Sequence, residues 1–341
     1  MDFLPGLSKK CLGIDIGATS IKVVELSKEK DGYHLKNYGI ASTKDVTGRK
    51  IRAKSNSRLS ASTDAIADTV KTILKEAGMR TKDSVFAIPD SSSFFTSFEV
   101  PKMKRAEVES AIQFQARQRI PLSLNQVTLD WKLTGLNKSD GKEMVEVLLL
   151  AIPNDTINSY RTIAKKTGLS SGVLDAQTFG FAELYGEEDK TVVIVDVGDQ
   201  NTMVNIVEEG LPKHSHSLDL AGKDFTPNIA ILPKLEYNEK EKTPKVSDKI
   251  KKSLSRELAQ KIDEVCSRYE NEEGRSIDKI LLTGGASNFE RIKIELSKTF
   301  TTEVANPFQK IKYPPILEEM VEDLSPLCSV AMGMAMQGLN K

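Results

Sequence analysis

The sequence predicts an α/β fold of two related lobes with a small α/β module set into the first, and two observations carry that prediction. The segments Gly13-Ile14-Asp15-Ile16-Gly17-Ala18-Thr19-Ser20-Ile21-Lys22 and Val195-Asp196-Val197-Gly198-Asp199-Gln200-Asn201-Thr202-Met203-Val204 are each an Asp-x-Gly turn between two apolar runs. That pattern reads as a strand, a tight loop and a returning strand. Aligned without gaps, Asp15 falls on Asp196, Gly17 on Gly198 and Ser20 on Asn201, so the two halves are related. The second observation is a change of pattern from about Val85 to Leu174, a self-contained alternation of strands and helices that interrupts the first half.

The turns point to phosphate chemistry. A glycine permits backbone conformations that a side chain forbids, so successive N–H groups can converge on phosphate oxygens. An aspartate ending the first strand accepts hydrogen bonds only, and beside a phosphate it needs a cation between them, for which hydrated magnesium is suited. A third segment completes the set: the apolar strand Lys279 to Thr283 runs into Gly284-Gly285-Ala286-Ser287, where a bare double glycine lets a flat ring lie against the backbone.

Taken in order, Tyr33 to Ala41 alternates as a third strand, and Lys44 to Arg58 is a loop with six basic residues and one acid. Ser62-Thr63-Asp64 caps a helix with Ile66, Val70, Ile73 and Leu74 at helical spacing, ending near Gly78. The module opens with strands Val85 to Ile88 and Phe94 to Val100, and a helix from Lys104 to Ile120 is stopped by Pro121. A hairpin follows, its second strand, Met144 to Ile152, apolar enough to be central. A helix from Asp155 to Lys166 ends at Gly168, and another spans Ala176 to Tyr185, with Asp175 placed to cap it. Past the second hairpin, Glu236 to Ser247 reads as a linker, and Ile250 to Tyr269 as a long amphipathic helix.

Composition excludes several classes. Lys+Arg and Asp+Glu are equal at 48, so no global field favours nucleic acid. Cys11, Cys266 and Cys328 show no paired spacing for zinc or disulfides, which fits a reducing cytosol, and three histidines are too few and too scattered for a metal cluster. No apolar run reaches the ~20 residues that span a bilayer, and no signal peptide precedes Lys9-Lys10, so the expected location is the cytoplasm.

The three glycine segments resemble the first phosphate, second phosphate and adenosine motifs of the actin, Hsp70 and sugar-kinase superfamily. The whole chain resembles the PilM family of that superfamily, which serves type IV pilus assembly; Pro101 onward, Arg119-Ile120-Pro121, Val127 to Trp131, Asn306-Pro307-Phe308 and Cys328 to Ala335 extend the match. The resemblance implies an actin-like fold, a duplicated RNase H-like two-lobed ATPase architecture. It divides the chain into a first lobe (1–84), an inserted subdomain (85–172), a connecting helix (173–190), a second lobe (191–304, with its own insert at about 223–275) and a return to the first lobe (305–341). It further implies ATP and Mg2+, with Asp15 and Asp196 organising the metal through water. Nucleotide contacts fall to Gly17, Ala18, Thr19, Ser20, Lys22, Gly198, Asn201, Thr202, Gly222, Gly284, Gly285, Ala286 and Ser287, and Glu236 and Lys240 take the places of a Glu and a Lys set against ribose and base. The implied partner is the cytoplasmic N-terminal tail of a PilN-like inner-membrane protein, held between the first lobe and its insert, which would place the chain peripherally on the inner membrane. Pilus assembly ATPases and self-association are further partners of such a protein.

Whether ATP is hydrolysed is open; Gln177, opening the helix before the second phosphate hairpin, is the candidate for positioning a water. A scaffold that holds nucleotide without turning it over needs the same loops. A small-molecule kinase would need a carboxylate base, for which Asp175 is the candidate. An FtsA-like division protein is the runner-up, though such relatives end in an amphipathic membrane helix and no such helix is read at Met336 to Lys341.

Overall fold

A computed structural model describes residues 9–43, 63–139, 142–170, 173–225, 248–285 and 289–341. The loop at 44–58, the linker at 236–247 and the residues Glu236, Lys240, Ala286 and Ser287 lie outside them.

In chain order the first lobe begins with β1 (Lys9–Ile16), β2 (Ser20–Glu29), β3 (Gly32–Ser42), α1 (Thr63–Glu76) and β4 (Ser84–Ile88). There follow β5 (Phe94–Pro101), α2 (Arg105–Arg119), β6 (Val127–Ser139) and β7 (Lys142–Pro153), then α3 (Asn154–Thr167), β8 (Val173–Ala176) and α4 (Gln177–Tyr185). The second lobe holds β9 (Thr191–Val197), β10 (Thr202–Glu208), β11 (Leu211–Leu218), α5 (Gly222–Phe225), α6 (Asp248–Glu273), β12 (Lys279–Gly284), α7 (Phe289–Leu296) and β13 (Thr302–Val304). The last elements are β14 (Ile311–Lys312) and α8 (Val321–Asn340).

Three sheets result, with strand orders β14-β3-β2-β1-β4-β8, β11-β10-β9-β12-β13 and β5-β7-β6. Their relatedness is visible in register. In β1 and β2, Ile16 pairs with Ile21 across the turn, and in β9 and β10, Val197 pairs with Thr202. Both loops are closed by the same bond, Gly17 N–H to Ser20 O at 3.0 Å and Gly198 N–H to Asn201 O at 3.1 Å. The next strand also repeats: β4 runs parallel to β1, and β12 parallel to β9.

The sequence reading places Val85 to Ile88 in the inserted module, whereas this strand, as β4, pairs with β1 and β8 inside the first-lobe sheet. A five-residue apolar run shows that a strand exists but carries no mark of its partner. The separate small sheet therefore runs from Phe94 to Pro153, with β7 in its centre. Strand β7 is apolar on both faces because each face meets a different core. Val145, Val147, Leu149 and Ala151 pack under Val108, Ile112 and Ala116 of α2. Leu150 and Ile152 join the first-lobe core with Ile14, Val70 and Tyr160.

Helix α8 is the element on which both lobes close. Its Ala331, Met332, Met334 and Ala335 share one core with Cys11 and Val24 of the first lobe and Ile194, Val207 and Leu281 of the second. It lies directly on β1, since a Cβ on Gly13 would stand 1.7 Å from the Ala331 carbonyl oxygen. No helix of the described residues is long and apolar enough to cross a membrane.

Candidate functional site

The two turn aspartates end matching strands, Asp15 in β1 and Asp196 in β9. Lys22 stands opposite Asp15 in the antiparallel register, which brings its Nζ to 2.9 Å from Asp15 Oδ2 with both side chains largely buried. From the first residue of α4, the Gln177 amide donates to Asp15 Oδ1 at 3.2 Å. Parallel pairing sets Thr283 beside Asp196 and Gly284 beside Val197. Gly284 has φ +103, and a Cβ there would lie 2.5 Å from Asp196 Oδ1, so only glycine fits against the carboxylate. Thus Asp15, Lys22, Gln177, Asp196 and Gly284 are brought together where the two lobes meet, with Gly17 and Gly198 at the turns and Gly285 next in chain.

The remaining candidates take varied places. The Ala18 carbonyl accepts from Thr43 Oγ1 and the Thr19 carbonyl from Thr43 N–H, which ties the first loop to the end of β3, and Ser20 is buried. The Thr202 hydroxyl donates to Leu220 O at 2.7 Å, and Asn201 Nδ2 donates to Ser217 Oγ at 3.2 Å, so both side chains brace the second lobe from within. Gly222 N–H donates to Gly198 O at 2.8 Å, folding the α5 turn over the second loop.

The electrostatics follow from two carboxylates sharing a confined cleft. Asp196 is pushed up to about 7, first by burial and then by the charge of Asp15, with Lys22 opposing and Asp90 adding to the rise. For Lys22 burial alone would lower the ammonium pKa, but the charge and hydrogen bond of Asp15, with the charge of Asp196, outweigh it and the pKa rises. The cleft thus has an excess of negative charge that one lysine does not balance, the condition a divalent cation relieves. These residues fit a hydrated magnesium ion bound to phosphates: two carboxyl groups, one of which the arriving cation would deprotonate, a lysine and two glycine turns.

Sequence reasoning missed Asp90. It follows β4, is buried, and accepts the Thr178 N–H at 3.1 Å and Oγ1 at 2.7 Å, so it caps α4 from a distant segment. Burial pushes Asp90 up to about 6, with the Thr178 bonds opposing. Asp175, expected as that cap, instead accepts Ala176 N–H at 3.0 Å and Gln337 Nε2 at 2.6 Å and so ties β8 to α8. The polar residue after Pro89 was the available signal for Asp90, but a string of Asp90-Ser91-Ser92-Ser93 reads as loop. Glu29, Asp31 and His34 do bring possible ligand atoms within 4.8 Å of one another, yet Lys36 and Lys312 already pair with the two carboxylates at 2.6 Å, which makes this an ion-pair network.

The family described as type IV pilus assembly protein PilM matches residues 13–339. The chain belongs to the PilM family. A solved structure described as the PilM-PilN type IV pilus biogenesis complex superposes with a TM-score of 0.77 at 24% identity, covering 98% of this chain and 99% of that one. The two lobes of this PilM-family protein form the actin-like ATPase fold. The ethanolamine utilization protein EutJ from Carboxydothermus hydrogenoformans is more distant, with a TM-score of 0.49 at 12% identity over 98% of this chain and 91% of that one. The cell division protein FtsA of Staphylococcus epidermidis is 23% identical over 251 residues, 68% of this chain and 53% of its own, so the chain spans about half the length of the curated relatives it matches.

Proposed function

We propose that this chain is a nucleotide-holding assembly protein of a type IV pilus system, taking Mg-ATP between its lobes and the cytoplasmic tail of a PilN-like membrane protein at its first lobe and small sheet. The observation that carries the nucleotide reading is the convergence of Asp15 and Asp196 from duplicated turns, close enough that the charge of Asp15 helps to raise Asp196. The partner reading rests on family membership and on the likeness in fold to a PilM-PilN complex. Such a partner would hold the chain at the cytoplasmic face of the inner membrane.

In this reading Asp15 and Asp196 hold the cation through water, and Lys22 faces the phosphates from beside Asp15. Backbone N–H groups that follow Gly17 and Gly198 in the two turns take phosphate oxygens, and Gly284 and Gly285 leave room for the base. The magnesium ion would supply the positive charge that the two carboxylates and the phosphates share. The Gln177 amide, already held by Asp15, is placed to orient a water toward the terminal phosphate. Slow hydrolysis follows if it does so, and an unchanged rate of phosphate release in Gln177→Ala would remove that role.

Equilibrium dialysis with Mg-ATP tests the central claim. The parent should bind, and Asp15→Ala and Asp196→Ala, checked as folded by circular dichroism, should each bind at least about tenfold more weakly, a loss near 1.4 kcal/mol. Equal affinity in both variants overturns the nucleotide reading. Fluorescence anisotropy with a labelled PilN-like tail peptide tests the partner separately, and no saturable binding overturns it.

A further inference from the structure

The central strand of the small sheet, β7, is held by both lobes, while β5 beside it touches β11 and α4. Along β7, alternate residues face one side, and Glu146, Leu150 and Ile152 share it. At one end, Leu150 and Ile152 are embedded in the first-lobe core. Six residues away, roughly 20 Å at about 3.3 Å per residue, Glu146 receives Lys213 of β11 through both carboxylate oxygens, at 2.6 and 2.7 Å.

This pair is built to transmit force rather than to decorate a surface. Both side chains are mostly buried, 17% and 15% exposed, so water screens the contact little. Glu146 is fixed within its own sheet by the Thr134 hydroxyl at 3.1 Å. Lys213 is fixed within the second lobe, 3.9 Å from Glu208, which in turn faces Arg275 at 3.3 Å and accepts from the Tyr269 hydroxyl. Beside β5 lies a cleft of about 180 Å³ lined by Ser93 and Phe95 of the small-sheet side, Thr178 and Phe179 of α4, and Met203 and Ser215 of the second lobe, across which the Phe95 ring stands edge-on to Phe179 at 6.2 Å.

We propose that β7 is a lever between the lobes: its fulcrum is at Ile152 and Pro153, and the Lys213–Glu146 pair makes the small sheet follow the second lobe when the lobes close. Because β7 is hydrogen-bonded on both sides, by β5 and by β6, it turns as a stiff unit. A displacement of β11 must then either break a buried ion pair or swing the whole small sheet. The proposal rests on the nucleotide reading above and gives that site its output, a nucleotide-dependent position of the partner-binding module.

The test uses the full chain, with Mg-ATP uptake measured by dialysis and the small sheet followed by hydrogen exchange over 127–139 and 142–153. Trp131 of β6, the one tryptophan of the chain, gives a parallel fluorescence reading. In the parent, Mg-ATP should change small-sheet exchange by about fivefold or more. Lys213→Met should take up Mg-ATP within about threefold of the parent yet lose that change, and Lys213→Glu combined with Glu146→Lys should restore it. A full response in Lys213→Met overturns the lever. Uptake by the parent with no small-sheet change also overturns it while leaving the nucleotide reading intact, whereas no uptake by the parent overturns both.

Discussion

Gly180 of α4 and Gly333 of α8 meet backbone to backbone, for a Cβ added to Gly333 would lie 2.1 Å from the Gly180 carbonyl oxygen. These two helices pack together at the junction of the lobes, with Tyr185 and Ser329 hydroxyls 2.6 Å apart one turn further along. Gly333→Ala is therefore a contest of two terms. Helix propensity favours alanine by about 1 kcal/mol, while overpacking against backbone costs about 3 kcal/mol. The variant should lose about 2 kcal/mol by urea unfolding, and an unchanged midpoint would show that the helices can slide apart at no cost.

What the sequence made legible was whatever recurs or alternates. Asp15 and Asp196 were found because a duplication doubles the signal, and α1, α3 and α6 because their apolar residues keep helical spacing. Strand β4 was assigned to the wrong sheet because pairing is a tertiary fact that five apolar residues do not encode. Asp90 escaped because its partner, Thr178, is 88 residues away, and the neighbouring Asp175 offered a local explanation that the fold does not use. The Lys213–Glu146 contact had no sequence signal, since each residue sits in an ordinary alternating strand.

Acidity should stabilise the nucleotide-free protein. Asp196 rises from 3.8 to about 7, and Asp90 from 3.8 to about 6. Carboxyls with raised pKa contribute stability that is complete below the unfolded value near 4 and is lost as pH climbs through the folded value. The thermal midpoint of the apo protein should therefore increase from pH 8 to pH 6. Asp196→Asn should flatten that slope, and a slope equal to the parent's would place the titration elsewhere.

Lys22 holds the charge balance of the cleft. Lys22→Met leaves Asp15 and Asp196 facing each other with their counter-charge removed, and loss of one partner from a buried pair costs about 3 kcal/mol. Magnesium should recover part of that loss, so the midpoint of the variant should respond more steeply to Mg2+ than the parent's. A magnesium response no greater than the parent's would show that the cation does not share the carboxylates with Lys22.

Tyr160 offers a case where removal helps. Its hydroxyl is buried with no hydrogen-bond partner among the described residues, while its ring stands edge-on to Phe86 at 6.2 Å. Phenylalanine keeps the ring contact and discards the stranded polar atom, so Tyr160→Phe should be neutral or more stable by about 1 kcal/mol. A loss of that size in urea unfolding would reveal a bonded water.

Helix α8 has a further consequence for how the chain reaches its folded state. Lys28 donates to Asn340 across 312 residues, and the first-lobe sheet is roofed by the same helix that joins the lobes. During synthesis β1, β2 and β4 can pair early, but their apolar underside waits uncovered until α8 leaves the ribosome, an interval of roughly 13–50 s at about 5–20 residues per second. A nascent intermediate with an open hydrophobic face is thus built into the topology, and chaperone capture of ribosome-bound chains should end when α8 emerges.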